Sequence, residues 1–296
     1  EVSNTVALAN VADVEAAIAS ASKAFPDWAA TTPLNRARVM FKFKQLLELH
    51  ADEIALAITH EHGKVFSDAK GELTRGLEVV EFACGIPHLV KGEHSMNVGT
   101  GVDSYSEYAP LGVVAGITPF NFPLNLVAHK VAPCLASGNT MVLKPSPRTP
   151  LSALLLADVL HEAGVTAGQV NVVPFDHELI AGLLEDSRLK MLSFTGSAEV
   201  GWQLKSRAGK MKVALELGGN AAVVVESDSD WRAAVPKIAG SATALLHAPW
   251  ANKPATPRAA PTITAAITRG NLICHRISLL PGLNRADQKF SICVAP

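Results

Sequence analysis

From Pro110 onward the chain alternates two textures, and this alternation restricts the fold more than any other feature. The runs LGVVAGI, NTMVLKP, QVNVVPF, KMLSFTG and AAVVVE are short, apolar and rich in Val. Amphipathic segments at 125–136, 151–163, 178–184 and 199–208 lie between most of them. Short continuous apolar runs fit strands buried on both faces, and parallel strands need crossovers of helical length. The pattern therefore predicts an α/β fold, a parallel sheet with helices on both faces. Ligands of such sheets sit beyond the carboxyl ends of the strands. Functional residues are expected just after each run.

Before Pro110 helices are expected to dominate. Asn10 is a candidate N-cap, with Val11, Val14, Ile18 and Phe25 as spaced apolar positions. Thr32 and Pro33 read as N-cap and first helical residue of a helix carrying Met40, Phe43, Leu46, Leu47, Ile54 and Ile58, ending near Gly63. A third helix is expected from about Ser67 to Val90, with Leu73, Leu77, Val80 and Phe82 facing inward.

Composition narrows the function classes. The 296 residues are 48% hydrophobic, enough for a sizeable core. A net charge of −1 points to neither nucleic acid nor a membrane surface as partner. No uncharged apolar run approaches the ~18 residues of a membrane helix, and the start does not read as a signal peptide. The first residue is Glu1 rather than Met, which reads as processing or as a fragment. Cys84, Cys134, Cys274 and Cys293 form no C-x-x-C pair, and His60, His62, His88 and His94 complete no metal-ligand spacing. Isolated thiols fit a reduced, cytoplasmic chain. From Ala233 on the one acid is Asp287 against seven Lys and Arg, and HAPWANKPATPRAAPTITAA has no helical or strand period. The segment 233–296 is therefore expected to be poorly structured.

Four stretches after the apolar runs carry chemistry. In GITPFNFPLN, Asn121 can aim its amide into a cleft and donate to a developing oxyanion; the alternative is a turn Asn bonded to its own backbone. In VLKPS, Lys144 at the sheet's carboxyl edge can bond ribose hydroxyls; the alternative is a solvated lysine before a turn. In SFTGSAEVG, Gly196 permits a close turn and Ser197 caps the next helix, whose N-terminus suits a pyrophosphate. LELGGN places Glu216 where a general base could stand.

Taken together and in order, PFNFP, VLKPS, FTGSAEVG and LELGGN resemble the aldehyde dehydrogenase superfamily over about residues 1–232. The resemblance implies an N-terminal helical arm at 1–109, a Rossmann-like dinucleotide-binding core at 110–232, and an unmatched tail at 233–296. The activity implied is oxidation of an aldehyde or semialdehyde to an acid or acyl-CoA. NAD or NADP would be the cofactor, a small-molecule aldehyde the substrate, and coenzyme A an acceptor in one branch. Asn121 matches the side-chain donor to the oxyanion and Glu216 the base that activates water. Lys144 matches the residue that holds the adenosine ribose. Thr118 and Phe120 match backbone positions beside the nicotinamide, and Gly196 and Ser197 the pyrophosphate contact. Family members form homo-oligomers through a region not matched here.

Three departures stand out. Pro147, followed by Arg148, occupies the position of a usual acid three residues after the ribose lysine, which leaves NAD against NADP open and gives Arg148 a role toward a 2′-phosphate. THEHGKVFSDAKGELTRGLEVVEFACGIPHLVKGE is similar to methylmalonate-semialdehyde dehydrogenases, which acylate coenzyme A, whereas 122–232 is similar to the hydrolytic branch. That combination reads as a recombined or misassembled chain joined near 110–130. In the first half, Arg75 matches a substrate-side arginine, with a helix-surface charge as the equal alternative. Finally, the family nucleophile is a Cys some thirty residues after the base, and here that region reads HAPWAN, His247 to Asn252. Cys274 would need an insertion to serve, and Cys134 is expected in the core. The chain is thus expected to be incomplete and impaired as a dehydrogenase. A non-catalytic dinucleotide-binding remnant is the alternative.

Overall fold

The structure, a computed structural model, describes residues 5–219, 223–225, 228–244, 273–276 and 291–294. The chain divides into two compact units, Glu1–Glu216 and Leu217–Pro296.

The first unit opens with helices. Helix α1 (Val11–Ala30) starts at a capping box: Asn10 Oδ1 accepts from the N–H groups of Ala12 and Asp13, and Asp13 accepts from the Asn10 N–H. Pro33 begins α2 (Pro33–Leu49) behind Thr32, whose hydroxyl accepts from the Asn35 N–H. The single helix expected from Pro33 to Gly63 is two, because His50 leaves the helical conformation and α3 (Ala51–His62) restarts behind it. Asp52 and Glu53 then sit in a new first turn, where the helix dipole favours negative charge. Gly63 closes α3 in the left-handed region, at φ +84°.

Helix α4 (Phe66–Cys84) stops earlier than expected. Gly85 ends it and Pro87 opens the short α5 (Ile86–Leu89). Leu73 and Val80 face the core, but Phe82 is 62% exposed. The buried stripe runs through Ala69, Leu73, Gly76, Val80 and Ala83, at helical spacing, and position 82 falls off it. A hairpin that periodicity did not suggest follows, β1 (His94–Gly99) antiparallel to β2 (Val102–Tyr105), with every residue exposed.

The sheet comes next. In chain order the elements are β3 (Val113–Ile117), α6 (Asn125–Ala136), β4 (Thr140–Lys144), α7 (Leu151–Glu162), β5 (Val170–Val172), α8 (Ile180–Glu185), β6 (Leu189–Gly196), α9 (Ala198–Arg207) and β7 (Lys212–Leu217). A single helical turn at His177–Leu179 precedes α8. The strand order is β5-β4-β3-β6-β7. β3 runs parallel to both β4 and β6, and β4 parallel to β5. This is the Rossmann-like winding: two strands are added to one side of β3, then the chain crosses back to its other side. β3 and β4 are buried along their whole length, as continuous apolar runs require.

The helical arm and the sheet share one hydrophobic core, which includes Phe43, Leu46, Ile54 and Leu73 together with Val131, Leu135, Met141 and Leu156. Polar side chains of the arm also close the ends of the sheet's helices. Trp28 Nε1 donates to the Leu135 carbonyl at 3.0 Å and Arg36 Nε to the Ala136 carbonyl at 2.7 Å, satisfying acceptors at the C-terminus of α6. Glu72 of α4 accepts from the first N–H groups of α6, and Glu61 of α3 from those of α7.

In the second unit β8 (Val223–Val225), from the run AAVVVE, joins a separate three-stranded sheet. It pairs in parallel with β10 (Ser291–Val294), which pairs antiparallel with β9 (Ile273–Arg276). Helix α10 (Trp231–Ala244) runs into the segment expected to lack regular structure. No described helix is long and apolar enough to cross a membrane.

Candidate active site

Lys144, the last residue of β4, lies beside Ile117, the last of β3, and Ile117 lies beside Phe194 of β6. The three strands thus end together where the winding reverses. The loop 118–124 leaves β3 at this point. Its first residue is fixed to the sheet by the Thr118 N–H, which donates to the Lys144 carbonyl at 3.1 Å. Thr118 is 4% exposed, and its Oγ1 is buried with no hydrogen-bond partner among the described residues. Asn121 Oδ1, three residues on, is in the same condition. An unpartnered buried polar atom costs about 1–3 kcal/mol, a cost that a polar ligand seated against this loop would offset. Phe120 is tied to the following loop: its carbonyl accepts from Thr149 Oγ1 at 3.4 Å, and its ring centroid is 5.4 Å from the Arg148 guanidinium carbon.

Lys144 is not a solvated lysine. It is 1% exposed, its Nζ donates to the Pro145 carbonyl at 3.5 Å and lies 5.4 Å from the Phe175 ring centroid. Burial pushes its pKa down to about 8, against the opposing pull of Asp176. Burial also holds His177 below the usual imidazole value, with Lys144 and Arg148 adding to the effect. Lys144 and exposed Arg148 therefore place two cationic side chains beyond the end of β4, with His177 after β5 kept toward its neutral form beside Asp176. Such donors, with the unpartnered Thr118 hydroxyl on the neighbouring strand end, are of the kind that hydroxyls and phosphates of a dinucleotide accept from.

Across the sheet, β6 ends at Gly196, where an added Cβ would lie 2.6 Å from Phe194 Cζ. A side chain at 196 would have to displace the buried Phe194 ring. Ser197 then caps α9, its Oγ accepting from the Val200 N–H at 3.4 Å. Glu216 stands in β7 and its Oε2 accepts from Thr195 Oγ1 at 2.8 Å. Thr195 and Ser193 in turn accept from Lys130 Nζ, at 2.9 and 3.1 Å. Burial lowers the Lys130 pKa and Glu216 opposes that shift. Lys130 was not singled out from the sequence. The available signal was a lysine on the apolar face of NLVAHKVAP, a position that demands a polar partner.

The thiols lie elsewhere. Cys134 is buried, with its Sγ 3.7 Å from the Thr140 carbonyl, and burial pushes its pKa far up, as it does more mildly for Cys84. Cys134 is a core residue, as expected from its helix. Cys274 falls in β9, its side chain outside what is described, and His247 to Asn252 lie outside the described residues. Arg75 is exposed on α4. Among the described residues no three His, Cys, Asp or Glu side chains are grouped to hold a metal ion.

Residues 1–245 match the aldehyde dehydrogenase family. A malonate-semialdehyde dehydrogenase of Pseudomonas aeruginosa is 45% identical over 245 residues, 82% of this chain and 49% of that protein. One from Geobacillus thermodenitrificans is 43% identical over 245 residues, covering 82% and 50%. Among crystal structures, the methylmalonate-semialdehyde dehydrogenase DddC from Oceanimonas doudoroffii matches with TM-score 0.79 and 48% identity, over 82% of this chain and 50% of that one. A Sinorhizobium meliloti 1021 structure complexed with NAD matches with TM-score 0.79 and 42% identity, over 81% and 50%. The chain spans about half the length of the curated relatives it matches. The semialdehyde dehydrogenase matches run on through 110–130, across the point where the sequence reading set a junction. Sequence and fold agree that the chain belongs to the aldehyde dehydrogenase family.

Proposed function

We propose that this stretch of chain is the dinucleotide-binding part of an NAD(P)-dependent semialdehyde dehydrogenase, carrying the cofactor face, the oxyanion donor and the water-activating base. The observation that carries the reading is the loop of buried Thr118 and half-buried Phe120 and Asn121, fixed to Lys144 through the Thr118 N–H, with Thr118 Oγ1 and Asn121 Oδ1 lacking partners among the described residues. Lys144 would hold the adenosine ribose, the backbone at Thr118 and Phe120 would flank the nicotinamide, and Gly196 and Ser197 would meet the pyrophosphate. When bound, the nicotinamide supplies the hydride acceptor. Asn121 would donate from its amide to the carbonyl oxygen as negative charge develops there. Glu216, held by Thr195, would take a proton from water to release the acyl group. Its presence favours water as acceptor, with coenzyme A the acceptor that the resemblance of the N-terminal half supports.

Pro147 and Arg148 remove a negative charge and add a positive one next to Lys144, so NADP⁺ should bind at least as tightly as NAD⁺. A malonate- or methylmalonate-type semialdehyde is the substrate class, by similarity to the relatives. A thiol nucleophile does not stand thirty residues after Glu216 in this sequence. This stretch by itself is therefore expected to bind cofactor without turning over aldehyde.

The test is calorimetric titration with NAD⁺ and NADP⁺, paired with an absorbance assay for reduced cofactor on malonate semialdehyde. Saturable binding without turnover is the expected result. Absence of binding would contradict the proposal. Turnover that disappears in Cys274→Ser, with cofactor affinity kept, would show instead a working enzyme with an unusual nucleophile.

A further inference from the structure

We propose that the buried Lys64–Glu72 ion pair is a positioning device for the loop between β3 and α6, aligning it with the nicotinamide half of a bound dinucleotide; this rests on the dinucleotide-binding reading above. The pair comes from the helical arm, yet its contacts converge on residues 122–125, directly after Asn121. Glu72 Oε1 accepts from the Leu124 N–H at 2.9 Å and the Asn125 N–H at 3.1 Å. Glu72 Oε2 accepts from Lys64 Nζ at 2.5 Å, and that Nζ stands 3.9 Å from the Phe122 ring centroid. The Lys64 and Glu72 side chains are 5% and 0% exposed. Gly63 makes the placement possible: its left-handed turn ends α3 and delivers Lys64 inward before α4 begins.

Stability alone does not explain such a pair. A buried ion pair is commonly replaced by apolar residues of similar volume without loss. What an apolar pair cannot do is fix two N–H vectors and a ring face to one point. The loop needs that, because Thr118 Oγ1 and Asn121 Oδ1 have no partner among the described residues. Left unanchored, the loop could turn those atoms back onto its own backbone. Glu61 offers an internal control. It caps α7 through the Leu151 and Ser152 N–H groups, at 2.8 and 2.9 Å, so it does similar work on a helix start after β4 rather than β3.

The experiment compares binding of NAD⁺ with binding of ADP-ribose, which lacks the nicotinamide, to the full chain. In Glu72→Gln the ratio of the NAD⁺ to the ADP-ribose dissociation constant should rise about tenfold, the scale of one hydrogen bond to a charged group. In Glu61→Gln the ratio should stay at the wild-type value, although thermal stability falls in both. Lys64→Arg, which keeps the charge, should keep most of the wild-type ratio. Since Glu72→Gln strands a buried cation, the double variant Lys64→Met with Glu72→Leu reads the same ratio in an uncharged background, and a rise is again expected. Equal weakening of both ligands would show a purely structural role and overturn the proposal. Wild-type chain that binds neither ligand would remove the dinucleotide reading itself, a failure visible before any variant is made.

Discussion

Lys144 is the residue on which binding and stability pull in opposite directions. Its ammonium group is buried, and its pKa of about 8 says that the fold disfavours the charged form. An unfolded lysine ionises near 10.5. Between about 8 and 10.5 the unfolded chain therefore holds a proton that the folded chain has released, so stability rises with pH across that window. Lys144→Met should abolish the rise and stabilise the first unit at pH 7 by about 1–2 kcal/mol, readable by calorimetry at several pH values. The same change should remove dinucleotide binding. In the wild type, NADP⁺ affinity should fall as pH climbs through 8, because the charge facing the ligand is lost. Thr195 is the second instructive residue. Thr195→Val removes the hydroxyl that links Glu216 to Lys130 and leaves a buried ammonium with fewer acceptors. A loss of about 1–3 kcal/mol in thermal unfolding is expected.

At the scale of elements, α6 is the pivot. Its N-terminus is closed by Glu72 and its C-terminus by Trp28 and Arg36, all from the arm. Trp28→Phe keeps most of the apolar burial but loses the bond to the Leu135 carbonyl. About 1–2 kcal/mol of stability should go with it, measured by denaturant unfolding, with the ratio of NAD⁺ to ADP-ribose binding unchanged. These ties were not legible in the sequence. Caps within a helix are, since Asn10 and Asp13, or Thr32 and Pro33, sit at fixed short spacings. A carboxylate that caps a helix fifty or ninety residues away has no local pattern. The break at His50 was obscured for a related reason: apolar periodicity continues straight through it, and only the acids behind it mark a new start. The run AAVVVE looked like one more strand of the main sheet, because a strand's composition does not name its partner.

For the molecule as a whole, the alternation of apolar runs and amphipathic segments did indicate a parallel α/β sheet, but not the strand order β5-β4-β3-β6-β7 that makes the winding Rossmann-like. The chemistry of the sheet's carboxyl edge was partly legible. Asn121, Lys144 and Glu216 stood out because an amide, an ammonium and a carboxylate at or near the end of an apolar run are conspicuous. Lys130 and Glu72 lie inside helices and Lys64 in the turn between α3 and α4, where a charge reads as a surface residue until burial is known. The central claim is that the carboxyl ends of β3, β4 and β6 bind a dinucleotide. The most direct measurement is titration of NADP⁺ into the wild-type chain and into Lys144→Met, with thermal unfolding of each as a check on folding. Saturable binding by the wild type, lost in a variant that is folded and more heat-stable, is the predicted result. Equal affinity in the two proteins, or no binding by a folded wild type, would contradict the account.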